Sequence, residues 1–470
     1  MFPSVSVIDH PILADLRSAL PDMNLLADAA AVEPYRHDET EFLSSGSPLA
    51  AVFPTSTEEV STIVRLCGHH HVPVVARGGG TGLSGGANAS DGCIVLVTTA
   101  MDRILAIDSD NLLVITQPGV ITADLEKAVE EQGLLYPPDP ASHETSCIGG
   151  NLAENAGGLR CVKYGVTRDY VLGLEVVLAD GDVIRTGGRN IKDVMGYDLT
   201  RLFVGSEGTL GIITEATLRL RPLPDRKVTL LAFFPSVAHA GDAVSRMTRA
   251  GLVPVTLELL DRYVIGAVEA ALHLGLDRTA GAMLMIESDA GGELAQAELK
   301  TASAACEAAG ATSQQRAANA TEADALREAR RKAHWSMEQA GAARTEDISV
   351  PRSRVADLME AIARVSARHD MEIGVFGHAG DGNFHPTYVT DAHDPAAKER
   401  IEVVRADLYS EVLSLGGSIS GEHGTGLSKR DFLEQQVGPR GLTLMRAIKS
   451  ALDPDGILNP GKILPEFDRT

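Results

Sequence analysis

Two short segments carry the residue types that do chemistry: Gly377-His378-Ala379-Gly380-Asp381-Gly382-Asn383-Phe384-His385 and Gly421-Glu422-His423-Gly424. Asp381-Gly382 between two extended runs is a strong hairpin signal. With that pair as a two-residue loop, Gly380 faces Asn383, Ala379 faces Phe384 and His378 faces His385. Opposed residues point to one face, with Cβ atoms ~5 Å apart. Two imidazoles so placed need only an oxygen ligand to hold a divalent ion, and Glu422 can supply it while leaving positions open for substrate. The plainer reading makes both histidines ordinary edge-strand residues. Two in register, with a distant Gly-Glu-His-Gly, favour the metal. Imidazole with carboxylate suits zinc, manganese or iron.

These segments need a scaffold, and the chain has ample length for one. Its 470 residues suffice for two or three domains with a large core. It is 44% hydrophobic and 23% charged, as soluble globular proteins are. A net charge of -22 argues against nucleic acid and anionic membranes as partners. An anionic substrate would then need a local basic pocket. No apolar run reaches ~18 residues, so no membrane span is expected. Residues 1–22 contain Asp9, Asp15 and Asp22 and no basic stretch before an apolar core, unlike a secretory signal. Cys67, Cys93, Cys147, Cys161 and Cys306 are scattered, odd in number and free of C-x-x-C spacing. They read as reduced, mostly buried thiols of a cytoplasmic protein.

Along the chain, residues 1–45 read as a polar helical arm. Residues 50–53 form a short strand, and a helix opens after it with capping-box chemistry, Thr55 with Glu58 or Ser56 with Glu59. Residues 72–76, 93–97, 112–116, 174–178, 183–186 and 209–218 are further strands, and Asp180-Gly181 makes a hairpin turn. After Pro222-Leu-Pro-Asp the pattern becomes single strands alternating with Ala-rich helices. That fits an α+β domain with an antiparallel sheet covered on one face. The divisions expected are 1–45 (arm), 46–224 and 225–465.

Gly80-Thr81-Gly82-Leu83-Ser84-Gly85 matches G-x-G-x-x-G after a strand. The dinucleotide reading fails on context, because residues 86–92 do not suit a crossover helix and a strand follows. Five glycines in 78–85 (Gly78, Gly79, Gly80, Gly82, Gly85) still let backbone N–H groups converge on an anion, with Arg77 at the border and pyrophosphate the natural guest. Gly149-Gly150-Asn151 through Asn155-Ala156-Gly157-Gly158 is a second such segment, suited to a flat ring or ribityl chain near the backbone. Gly205-Ser206-Glu207-Gly208-Thr209-Leu210-Gly211 is a third.

Residues 73–86, Pro137-Pro138-Asp139-Pro140-Ala141-Ser142, 149–158, Tyr164-Gly165 and 205–211 together resemble the FAD domain of the vanillyl-alcohol-oxidase/para-cresol-methylhydroxylase (PCMH-type) flavoproteins. Residues 377–386, 418–426 and 458–462 resemble the FAD-linked oxidase C-terminal domain. The likeness covers roughly residues 45–465. It is greatest to the branch acting on glycolate, D-lactate and D-2-hydroxyglutarate. It implies an FAD domain of two small α/β subdomains, then a substrate domain with an antiparallel sheet and a helical C-terminal segment.

The resemblance implies cofactor contacts from Arg77, Gly78, Gly79, Gly80, Thr81, Gly82, Ser84, Gly85, Pro118, Gly119, Pro138, Asp139 and Ser142. It adds Gly149, Gly150, Asn151, Asn155, Gly157, Gly158, Tyr164, Gly165, Glu207, Gly211, Ile213 and Asn459. Residues 77–86 contain no His, so the FAD is expected to be noncovalent. The resemblance also implies a metal on His378, His385 and Glu422, zinc before manganese or iron, with His423 as catalytic base. An Arg of 327–332 should hold the substrate carboxylate. Arg331 aligns best and Arg330 is its rival.

The implied reaction oxidises a D-2-hydroxy acid to a 2-oxo acid, with hydride to flavin N5. Electrons then leave to a protein or quinone acceptor. The assembly stays open, a homodimer included. The 2-hydroxyglutarate enzymes tend to have an Asn two residues after the second metal His and a Lys before the Asp-Leu-Ser-Leu-Pro segment. This chain has Thr387 and Thr345 or Arg344 there, which favours the glycolate and lactate branch. The alternatives are a 2-hydroxyglutarate dehydrogenase and a non-catalytic flavin subunit of an electron-transfer complex.

Overall fold

Local chemistry builds the first sheet. Ala50–Phe53 is a buried strand, and Ser56 caps the helix Thr57–His70 that follows. Ser56 Oγ accepts from the Glu59 N–H at 3.3 Å, and the Glu59 carboxylate accepts from the Thr55 N–H at 2.6 Å. Of the two expected capping pairs, the helix therefore uses Ser56 with Glu59. Val60, Ile63, Val64 and Cys67 recur at helical spacing and are fully buried. Each apolar side chain so buried contributes roughly 1.5–3 kcal/mol. The chain then returns as Val74–Arg77. That strand lies parallel to Ile94–Val97, which lies parallel to Ala50–Phe53.

The computed structural model describes residues 10–465 apart from 41–42, 226 and 391–395. Residues 1–9 of the expected N-terminal arm lie outside it. The rest of that arm is only partly helical. After the helix Pro11–Ala19, the strand Asn24–Leu26 pairs antiparallel with Ala50–Phe53 and joins the first sheet. A second sheet of five antiparallel strands runs in the order 104–108, 113–116, 212–219, 171–177, 183–187. Its 171–177/183–187 pair is the hairpin expected around Asp180-Gly181.

The chain divides into two compact units. The first comprises 1–156, 166–223 and 423–470, and the second comprises 157–165 and 224–422. The chain passes from the first unit to the second after Leu223. The last stretch, 423–470, groups with the first unit. There Asn459 donates to Gly86 O and Glu207 O at 2.9 and 2.7 Å. The segment 157–165 moves the other way, since Tyr164 and Lys163 both bind Asp289.

The second unit is one antiparallel sheet in the order 313–316, 228–234, 282–288, 256–261, 373–378, 383–390, 342–345, with 348–349 also on 383–390. Helices connect most of these strands, as the alternation in the sequence requires. The His hairpin differs from its expected register. His378 pairs with Asn383, and His385 pairs with Phe376. The loop is four residues long, because the N–H groups of Asp381 and Gly382 both close on His378 O at 3.2 and 3.0 Å. Gly382 sits at φ +88°, where a side chain would be strained. The slip is two residues, and side chains alternate with period two. Both imidazoles therefore stay on one face as diagonal neighbours, with ring centroids 5.4 Å apart and planes at 89°.

Candidate active site

The second unit gathers the metal-type donors on adjacent strands. His378 Nε2 lies 3.1 Å from Glu422 Oε1, and His385 Nε2 lies 3.3 Å from the same oxygen. One donor atom from each of the three residues falls within 4.8 Å of the others. Glu258, directly across the ladder from His378, holds the far side of that ring, with Nδ1 2.8 Å from Oε1. A carboxylate on Nδ1 fixes the imidazole so that Nε2 faces inward, the usual outer support of a metal-ligating histidine. Burial opposes a charge on His378, but Glu258 and Glu422 outweigh it and raise its pKa well above the ordinary value. Burial likewise opposes a charge on Glu422, yet His378 and His385 hold its carboxyl far below the usual range. Two nitrogens and an ionised carboxylate, buried and convergent, fit a divalent ion, and His378, His385 and Glu422 are the residues that would hold it.

Behind this set stands Arg330. Its Nη2 lies 2.6 Å from Glu258 Oε2, and its guanidinium stacks 4.9 Å from the Phe376 ring. Arg330 is 4% exposed, whereas Arg331, the residue expected here, is half-buried one position further along the helix Ala320–Arg331. Successive helical residues point about 100° apart, so a one-residue difference in alignment selects a different direction. Arg327 pairs instead with Glu287, and Lys332 with Glu328 at 3.1 Å on an exposed face.

Asp347 shapes the segment that carries Glu422. It is fully buried, and its Oδ2 accepts from the Gly421 and Glu422 N–H groups at 2.7 and 2.9 Å. Its Oδ1 accepts from Asn383 Nδ2 at 2.7 Å, which ties the hairpin to the same anchor. His423 follows Glu422 directly, is half-buried, and begins the last segment of the first unit. Gly157, expected as a cofactor contact, packs so closely on Glu422 that a Cβ there would fall on Oε2. Tyr164, also expected at the cofactor, donates its hydroxyl to Asp289 at 2.6 Å.

Glu258 and Asp347 escaped the sequence reading. The signal for Glu258 was present: a glutamate in the middle of the apolar strand Thr256–Asp261, whose alternation gives it no exposed face. Asp347 sits in an irregular polar run and gave no such signal.

The first unit holds the glycine-rich loops. Residues 78–86 follow the strand Val74–Arg77 without helix, as expected. Arg77 does not reach outward from the loop. Its Nη1 donates to His37 O at 2.5 Å, and the guanidinium lies where a Cβ on Gly80 would be. Asn151 Nδ2 donates to Thr122 Oγ1 at 2.8 Å, and Asn155 Oδ1 accepts from the Arg168 N–H at 2.9 Å. Glu207 and Asn459 likewise spend their polar atoms inside the unit. These side chains all have partners within the unit. The space itself is left by Gly150, which has no atom within 4 Å of a would-be Cβ. Backbone N–H groups beside such an opening suit an extended, phosphate-bearing cofactor such as FAD.

The fold and site define a flavoprotein of the FAD-linked oxidases, and the chain belongs to that family. Residues 223–463 match the C-terminal domain of FAD linked oxidases, and residues 48–187 match an FAD binding domain. Glycolate oxidase subunit GlcD of Bacillus subtilis (strain 168) is 48% identical over 436 residues, 93% of each chain. D-lactate dehydrogenase of Anaerostipes hadrus is 36% identical over 448 residues, covering 92% of each. Among solved structures, p-cresol methylhydroxylase with substrate bound shares the fold at a TM-score of 0.81. That match covers 97% of this chain and 98% of the other, at 18% identity. The five cysteines form no disulfide, and no helix among the described residues is long and apolar enough to cross a membrane.

Proposed function

We propose that this chain oxidises a D-2-hydroxy acid of the lactate or glycolate type to the 2-oxo acid, using noncovalent FAD and a divalent ion. The observation that carries this reading is the convergent His378–His385–Glu422 set, its two histidines buried, in an FAD-linked oxidase 48% identical to a glycolate oxidase subunit. A divalent ion, zinc first among candidates, would supply Lewis acidity at the substrate hydroxyl. FAD, when bound, supplies the acceptor for the C2 hydride. Glu258 and Arg330 hold His378 in the tautomer that presents Nε2. Arg331, with Arg330 as its rival, would orient the substrate carboxylate, while Arg330 is paired with Glu258. His423 takes the hydroxyl proton at its imidazole nitrogen.

The positions that carry an Asn and a Lys in the 2-hydroxyglutarate branch hold Thr387 and Thr345 or Arg344 here. Thr345 and Thr387 share a hydrogen bond of 2.9 Å, and His334 Nδ1 lies 2.8 Å from Thr345 Oγ1. Arg344 is committed to Glu402 at 2.6 Å. This supports a monocarboxylate substrate over 2-hydroxyglutarate. The word "subunit" in the GlcD name supports a chain that passes electrons to a separate acceptor, protein or quinone, in the cytoplasm.

The test is anaerobic reduction of the purified flavin by a panel of D- and L-2-hydroxy acids. D-lactate or glycolate should bleach the flavin, and D-lactate should do so much faster than L-lactate. Faster reduction by L-lactate overturns the stereochemical assignment, and preference for D-2-hydroxyglutarate overturns the monocarboxylate one. Acid or heat should also release all the FAD, since residues 77–86 offer no His for attachment. Flavin remaining with the denatured chain refutes noncovalent binding.

A further inference from the structure

The turn through Gly421–Gly426 is held at both of its ends by a buried carboxylate. Asp347 holds the N–H groups of Gly421 and Glu422, as described above. In the first unit, Glu207 Oε1 accepts from the Thr425 N–H at 2.7 Å, and Oε2 from the Gly426 N–H at 2.8 Å. Glu207 is itself held at a left-handed φ of +50°, with its own N–H on Ala153 O at 2.9 Å and its carbonyl bound by Asn459. Such a conformation is strained in a non-glycine residue, so the surroundings must impose it. Beside it lies Glu154, whose Oε1 accepts from Ser84 Oγ at 3.1 Å. Glu154 Oε2 is shielded from solvent and has no hydrogen-bond partner among the described residues. Both acids press on Gly424, at φ +85°. A Cβ there would fall on Glu154 Oε2 and come within 3.0 Å of Glu207 Oε1.

We propose that Glu207 is a positioning residue for His423: its carboxylate fixes the backbone at Thr425 and Gly426, and Glu154 packs beside it to exclude any other path for Gly424. The inference rests on the reading of His423 as the base. An ionised carboxylate offers a separate acceptor oxygen to each of the two N–H groups, and on protonation one of those oxygens becomes a donor. The groups facing Glu207 are the Glu154 and Asp38 carboxyls and the Lys462 ammonium, while Glu154 also faces Lys429. Burial raises Glu207 to about 7, against the lowering effect of the two N–H groups. Burial and then Glu207 hold Glu154 well above the usual carboxylate range. Two carboxyls this close in a dry site cannot both ionise, so Glu154 keeps the proton and Glu207 the charge.

The experiment is anaerobic stopped-flow reduction of the FAD-loaded protein by D-lactate, in wild type, Glu207→Gln, His423→Asn and the double variant. A glutamine has one acceptor and turns an amide N–H₂ toward the second backbone N–H. Glu207→Gln should keep full FAD and lower the limiting reduction rate about tenfold, with substrate affinity within about twofold. In the His423→Asn background the same change should cost less than about twofold, as expected when one residue acts through the other. A wild-type rate in Glu207→Gln, or the same tenfold loss in both backgrounds, overturns the inference. His423→Asn losing less than about tenfold overturns the base assignment first, and the inference with it. Should Glu207→Gln not retain FAD, Glu207→Asp, which keeps the charge but falls short of the backbone, carries the same expectations. Independently of activity, the infrared carbonyl band of a protonated carboxylic acid at neutral pH should be lost in Glu154→Gln. A spectrum unchanged by that substitution refutes the carboxyl–carboxylate pair.

Discussion

Glu422→Ala should lose the bound metal and nearly all turnover while FAD remains. Glu422 is the oxygen donor shared by His378 and His385, at 3.1 and 3.3 Å, whereas the Asp347 carboxylate groups with His385 and His423 and not with His378 among the described residues. Its loss leaves His378 buried against Glu258 alone, an ordinary ion pair rather than a ligand set. A Lewis acid at the substrate hydroxyl is worth several kcal/mol, so the limiting rate of flavin reduction should fall by roughly a thousandfold. His378→Ala should behave alike. FAD should persist, because the glycine-rich loops 78–86 and 205–211 and most of 149–158 belong to the other unit and contain neither residue. Metal analysis and the flavin spectrum on one sample decide the matter. Full metal occupancy in either variant refutes the ligand set, and loss of FAD with the metal refutes the separation of the two sites.

His423→Asn should retain FAD, metal and substrate binding but lose flavin reduction. Asparagine keeps the polarity and approximate size of the side chain and removes its ability to take a proton. General bases contribute about 10²–10⁴ in rate, so the loss should be at least on the order of a hundredfold. The measurement is the limiting anaerobic reduction rate at the optimal pH of the wild type, with substrate affinity read from the same titration. A loss below about tenfold would make His423 a structural neighbour. A large loss in affinity with little loss in rate would move it from proton transfer to substrate binding.

The sequence revealed the face on which the chemistry stands but not the register. Alternation with period two placed His378 and His385 together whether the loop held two residues or four, and a slip of two preserved the result. The slip itself is set by the loop N–H groups, two of them on His378 O and that of Gly380 on Leu257 O. The Leu257 contact lies over a hundred residues away and could not be foreseen. The same distance hid the role of Glu258, although a charged residue inside an apolar strand marked it as unusual. Arg331 and Arg330 could not be separated by alignment, since helix direction changes by about 100° with each residue. The glycine-rich loops were located from composition. The turning inward of Arg77, Asn151, Asn155 and Glu207 was not legible, because Arg77, Asn155 and Glu207 bind backbone groups that any sequence would supply and Asn151 binds the Thr122 hydroxyl from another element.

The unit that carries those loops is interrupted in the chain, and this has a consequence for how the protein is made. Its third segment, 423–470, supplies Asn459 to Gly86 and Glu207, Lys449 to Thr209 O at 2.7 Å, and the Leu458 bridge to Val74. A ribosome must therefore synthesise all of 224–422, roughly 200 residues, before these partners exist. At about 5–20 residues per second that is a wait of some ~10–40 s. The metal-type donors of the second unit are complete in the nascent chain before the flavin cradle is, and His423 emerges only as the cradle begins to close. Assembly of the first unit thus waits on translation of 423–470, and a ribosome stalled before His423 displays a chain that lacks both that residue and the partners this segment supplies.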